Sequence, residues 1–121
     1  MKAKNVLQSI GFACQGIGHT LCSERNMRIH FVIAVLALGA GIYLRLPAVE
    51  MAVLVIAITL VIVAEIFNSA LETAIDLFTA EYSNQARVAK NLAAGAVLVT
   101  ALNALIVGVL LFCPRIGAML K

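Results

Sequence analysis

Four of the six acidic residues in this 121-residue chain lie between Glu65 and Glu81, and three of those share one side of a helix. At about 100° per residue, Glu65, Glu72 and Asp76 fall at about 0°, −20° and +20°, with Asn68 at about −60°. Ile66, Phe67, Leu71 and Ile75 cover the remaining faces. A carboxylate near the bilayer costs at least about 2.5 kcal/mol. A stacked series is therefore expected to be compensated, either by cations or by a bound metal. A lone Asn68 would only bridge helices, and a lone Glu65 could stay protonated. The aligned set points to chemistry.

A second polar cluster, residues 23–30, holds Glu24, Arg25, Arg28 and His30. The arginines suit anionic headgroups. Glu24 does not, and is expected to reach the same mouth as Glu72. His30 reads as an interfacial cap, and His19 as water-facing. No His/Cys cluster has ligand spacing, so a zinc or iron site is not expected. The chain has no GxxxxGK[ST], GxGxxG, HRD, DFG or HExxH run. Nucleotide chemistry would therefore need a different scaffold.

The elements that must position these residues follow from composition. The chain is 63% apolar and 12% charged, with a mean hydropathy of +1.04. Soluble domains carry roughly 25% charged residues. An integral membrane protein of one domain, residues 1–121, remains. Residues 92–113 carry no charge and would make a helix of about 33 Å, enough to span. Residues 31–44 are too short alone but extend to 29–46, because the stem of Arg45 can snorkel. Residues 51–64 are closed by Glu50 and Glu65, so this stretch spans only with Glu65 inside or at the edge of the hydrocarbon. Pro47 breaks the chain between the first two spans, and residues 79–85 read as a loop. Val6, Ile10, Ala13, Ile17 and Leu21 form a helical stripe, predicting an amphipathic surface helix. The expected all-α fold has a surface helix at about 5–22 and spans at about 29–46, 48–78 and 89–113.

Charge sets partners and orientation. A net +3 is too small and scattered for nucleic acid. With the N-terminus inside, six Lys/Arg lie on the cytoplasmic side and three (Arg45, Arg115 and Lys121) opposite. The region from Glu72 to Lys90 is then cytoplasmic. Cys14, Cys22 and Cys113 form no CxxC pair and read as reduced thiols. The first thirty residues lack the apolar core of a signal peptide, so the spans themselves are expected to direct insertion.

The helix Glu65-Ile-Phe-Asn68-Ser-Ala-Leu-Glu72-Thr-Ala-Ile-Asp76 resembles the signature helix of the prokaryotic diacylglycerol kinase family, which includes undecaprenol kinases. The likeness extends to Glu24-Arg-Asn-Met-Arg-Ile-His30, to Glu81-Tyr82 and to residues 89–98. It implies a small lipid kinase of the bacterial inner membrane, usually a homotrimer, moving the γ-phosphoryl of MgATP to a membrane lipid hydroxyl. The acceptor would be diacylglycerol or undecaprenol, and the product phosphatidic acid or undecaprenyl phosphate. By resemblance, Glu65 is the general base, while Glu24 and Glu72 hold Mg2+ against the phosphates. Phe12, Glu24, Glu72, Glu81, Tyr82, Ser83, Lys90 and Asn91 occupy nucleotide positions, with Asn68 and Asp76 in support. The residues 24–30 resemble the undecaprenol kinase branch more than the enteric one.

Physical chemistry agrees with those roles. Phosphoryl transfer needs positioning and charge neutralisation, and magnesium prefers one or two carboxylates plus phosphate oxygens. Glu72 lies about 10.5 Å along the helix from Glu65, so one carboxylate can address a lipid hydroxyl while the other meets ATP. The chain departs from the family pattern at Asn91, where Asp usually follows the lysine and could pair it. It departs also at Phe12, where some members have Tyr, and at Ser83-Asn84. Two other readings compete. One is a small oligomeric transporter or ion-pathway subunit using the acidic stripe as a relay. The other is a non-catalytic assembly subunit.

Overall fold

The computed structural model describes residues 2–79, 81 and 83–121. Among these, the chain forms helices α1 (Val6–Ser23), α2 (Arg25–Tyr43), α3 (Ala48–Phe78) and α4 (Asn84–Met119). The last three are long and apolar enough to cross a membrane. Asn5 starts α1 by accepting from the Gln8 backbone N–H at 2.9 Å, and the Gln8 amide oxygen accepts from the Lys4 N–H at 2.8 Å. This reciprocal arrangement satisfies donors that a helix start leaves unpaired. A single extended residue, Glu24, separates α1 from α2. The Arg28 guanidinium reaches back across that break and donates to the Leu21 and Cys22 carbonyls at 3.1 and 2.8 Å. Arg28 thus ties off the end of α1.

The first apolar helix stops at Tyr43, not at Leu46 as its hydropathy predicts. The reason is a tight closure. Arg45 takes a left-handed backbone, φ 54°, its N–H donating to the Ile42 carbonyl at 3.1 Å. The Leu46 N–H donates to the Gly41 carbonyl at 3.0 Å. This is the Schellman closure, and its usual apolar contact is present, with Leu46 packed over Gly41. A Cβ at residue 41 would approach Met51 Cε to 2.9 Å and Leu46 Cδ1 to 3.2 Å. Glycine there lets α2 and α3 meet directly below the turn. Pro47 follows and opens α3.

At 1.5 Å per residue, α3 is about 46 Å long and α4 about 54 Å, against about 30 Å of hydrocarbon. Both helices therefore overhang the bilayer. They share the most extensive contact in the fold, with α2 second against α3. Lys90 pairs with Asp76 at one end of the α3–α4 contact, and Arg115 pairs with Glu50 at the other, so the two helices run antiparallel. The α4 helix also runs past the expected limit at Cys113. It carries Pro114 inside and continues to Met119. Hydropathy ends the segment at Arg115, yet that charge is paired with Glu50, and its guanidinium donates to the Leu111 carbonyl at 2.8 Å. The core between the spans is small, built on Leu46, Leu54 and Leu111. Most large apolar side chains face outward.

Because a side chain in the left-handed region is strained by about 1–2 kcal/mol, Arg45→Gly should stabilise the fold by about 1 kcal/mol. Denaturant unfolding in detergent micelles measures this, and Arg45→Val should move stability the opposite way.

Candidate active site

The buried side of α3 is a spaced series, Leu54, Ala57, Val61 and Glu65. Steps of three, four and four residues keep one face toward α2 and α4. Glu65 stands where the next apolar residue of that series belongs, and it is 2% exposed. The same three-four-four spacing then carries the face on through Asn68, Glu72 and Asp76. Exposure rises along it, from Glu65 to the Asp76 side chain at 65%. One helix face thus turns from apolar to polar as it leaves the bundle.

Other elements bring partners to this face. His30 of α2 places Nε2 3.2 Å from Glu65 Oε1, too oblique an approach for a well-aligned hydrogen bond. Glu65 Oε1, Asn68 Oδ1 and Ser69 Oγ are all shut off from solvent without a hydrogen-bond partner. The Asn68 amide makes only a long contact, 3.5 Å, to Glu72 Oε1. Three orphaned polar atoms within five residues mark a place prepared for something else to bind. Glu24 and Glu72 both lie near enough for their charges to act on Glu65. The Glu24 carboxylate makes no capping bond to α2, although it occupies the residue where a cap would sit. It remains available to a ligand.

Two cavities flank the carboxylates. Toward the membrane, an apolar groove of about 450 Å³ runs between α2, α3 and α4. Small side chains (Ala34, Ala57, Ala104 and Gly108) make room for it, and His30 lines it as well. At the opposite end lies a polar cavity of about 310 Å³ lined by Asp76, Glu81, Ser83, Arg87, Lys90 and Asn91. Lys90 Nζ is 2.7 Å from Asp76 Oδ1. The charge missing at Asn91 is therefore supplied to Lys90 from α3. Ser83 caps α4, its hydroxyl accepting from the Ala86 N–H at 3.1 Å.

Of the residues predicted to form the site, Glu81, Ser83, Lys90, Asn91 and Asp76 line the polar cavity. Glu65, Asn68 and Glu72 form the series on α3 that leads to it, and Glu24, at the α1–α2 break, lies close enough for its charge to act on Glu65. Phe12 does not line that cavity; it lies half-exposed on α1. Tyr82 is outside the described residues. Two residues were not anticipated. His30, expected as an interfacial cap, faces Glu65. Arg87 lines the polar cavity one helical turn before Lys90 and is held by Asn84 Oδ1 at 2.7 Å. The i, i+3 spacing of Arg87 and Lys90 was a readable signal for the second.

Three helices able to cross a membrane, with a carboxylate series on α3 between an apolar groove and a polar cavity of mixed charge, define the class of the protein as a membrane protein with a polar site at one end of its spans. The family model described as prokaryotic diacylglycerol kinase matches residues 11–112. The chain belongs to that family of lipid kinases and is a multi-pass membrane protein. It is 40% identical over 113 residues to a Synechocystis diacylglycerol kinase, covering 93% of this chain and 65% of the relative's own length. It is 34% identical over 109 residues to the Bacillus subtilis undecaprenol kinase, covering 90% of this chain and 89% of that protein. Identity to the Escherichia coli K12 diacylglycerol kinase is 29% over 108 residues, covering 89% and 85%.

Since Ser83 serves as a helix cap, Ser83→Ala should lower stability by about 1 kcal/mol, and Ser83→Asp, which can still cap, should restore it. Thermal unfolding in micelles reads both.

Proposed function

We propose that this chain phosphorylates the hydroxyl of a membrane lipid at the expense of ATP. The observation that carries the reading is the position of Glu65: a buried carboxylate on α3 between the turns that line an apolar groove, which suits a lipid tail, and the turns that line a polar cavity, where Arg87 and Lys90 could meet phosphates. Glu65 acts as general base, taking the proton of the lipid hydroxyl as its oxygen attacks the γ-phosphorus. Lys90 meets the phosphates as a point charge, and Arg87 adds a second cation. Glu81, Ser83 and Asn91 surround the nucleotide from the α3–α4 connection and the start of α4, Phe12 approaches from α1, and Tyr82 joins them by family resemblance alone. Asn68 and Asp76 support the site.

The residues present also fit magnesium. Glu24 and Glu72 offer hard carboxylate oxygens, each close enough for its charge to act on Glu65, and Asn68 Oδ1 is a buried acceptor without a donor. Two carboxylates leave a magnesium shell to be completed by phosphate and water, its usual arrangement in phosphoryl transfer. When bound, the ion would neutralise charge on the transferred phosphoryl group. Glu24 and Glu72 hold it at the mouth, leaving Glu65 free for the proton.

The lipid is diacylglycerol or undecaprenol, and the product phosphatidic acid or undecaprenyl phosphate. An apolar groove distinguishes such tails weakly. The working form is a homo-oligomer, a trimer by family resemblance. Its support is the carboxylate face of α3, which cannot rest against lipid and which packing against other copies would shield. The chain sits in the bacterial inner membrane with its N-terminus and the carboxylate mouth in the cytoplasm and α1 along the surface.

The deciding measurement is transfer of label from γ-labelled MgATP in mixed micelles, with diacylglycerol and undecaprenol offered in parallel. Label in either lipid is expected. Label in neither, together with ion flux in sealed liposomes, would favour the ion-pathway reading instead. Glu65→Gln should abolish transfer while MgATP binding persists. Lys90→Ala should weaken ATP binding about tenfold or more, as loss of a charged hydrogen bond does.

A further inference from the structure

His30 is the one basic side chain within ion-pair distance of Glu65 among the described residues. Its Nε2 faces the oxygen of Glu65 that is closed to solvent. The other charges acting on Glu65 are the carboxylates of Glu24 and Glu72, which oppose it rather than compensate it. Arg28, nearby on the same helix as His30, is engaged with the carbonyls that end α1. A buried carboxylate needs a donor, and His30 is the group positioned to be one.

His30 also lines the apolar groove, in the company of aliphatic and aromatic side chains and Cys113. A hydroxyl arriving along the groove meets the imidazole, whose Nε2 stands 3.2 Å from the Glu65 carboxylate behind it. We propose that His30 is a positioning residue for Glu65. A small turn of the imidazole brings its Nε2–H, already 3.2 Å from Oε1, into line to donate there, and that bond fixes the rotation of the carboxylate, so that Oε2 receives the substrate proton. The O–H bond of the alcohol breaks toward Oε2, its oxygen forms the bond to the γ-phosphorus, and the bond to the leaving nucleoside diphosphate breaks. His30 keeps its own proton throughout. The identity of the hydroxyl rests on the lipid-kinase reading; the His30–Glu65 pairing does not.

The test uses the full chain in mixed micelles with three variants: His30→Ala, His30→Leu and His30→Gln. A misplaced base costs about 10²-fold, so His30→Ala and His30→Leu should lower kcat by about that factor while KM for MgATP stays within about twofold. His30→Gln, whose side-chain amide can reach the same oxygen, should recover most of kcat. Unchanged kcat in His30→Ala, a parallel rise in KM for MgATP, or a His30→Gln as poor as His30→Ala would each overturn the proposal. A wild-type chain that labels no lipid would overturn the kinase reading instead. The pairing is then decided by nitrogen NMR of labelled histidine, with the His30 signals assigned by their loss in His30→Gln. Glu65→Gln should shift the His30 Nε2 resonance, and an unmoved resonance would refute the pairing.

Discussion

The structure depends on one constraint, the burial of a carboxylate in a helix that must also cross a membrane. Glu65 continues the face made by Leu54, Ala57 and Val61, so the contact that holds α3 in the bundle also carries the acid inward. Ionised groups at such depth persist only where charge or hydrogen bonds meet them. Among the described residues His30 alone answers that demand with a donor, while the other nearby acids leave it to a bound cation. α2 brings His30, the α1–α2 break leaves Glu24 free, and the later turns of α3 move the remaining carboxylates progressively outward.

The same constraint separates two environments by a short distance. The groove on the membrane side is apolar because its walls come from residues selected to lie in lipid, many of them small. The cavity on the other side is polar because it is made where α3 and α4 emerge and the chain turns between them. A site joining a hydrocarbon substrate to a charged one needs both, and α3 supplies the line between them. This also accounts for the overhang of α3 and α4, whose extra turns build the polar half.

The carboxylate face was legible in the sequence because its information is local. Glu65, Asn68, Glu72 and Asp76 repeat at helical spacing, and no knowledge of neighbours is needed to see that they align. The presence of three apolar spans was legible for the same reason, though not the points where α2 and α4 begin and end. What escaped the sequence was held between elements. His30 gains its role from a residue 35 positions away on another helix. The end of α2 depends on a left-handed Arg45 and on Gly41 admitting Leu46. The continuation of α4 through Pro114 depends on Glu50 neutralising Arg115. Lys90 finds its counter-charge in Asp76, not in its neighbour, for which no periodicity prepares the reader.

The ion pairs at the two ends of the α3–α4 contact act as matched gauge marks. From Glu50 to Asp76 along α3 is about 39 Å, and from Lys90 to Arg115 along α4 about 37 Å. Two antiparallel rods with nearly equal intervals between their end marks tolerate substitutions along the shaft better than a change in length. Loss of one residue from either interval would slide one mark by about 1.5 Å and swing it through about 100°. A change of length in this chain is therefore borne more easily at the ends of the helices and in the turns beyond them than in the segment between the marks.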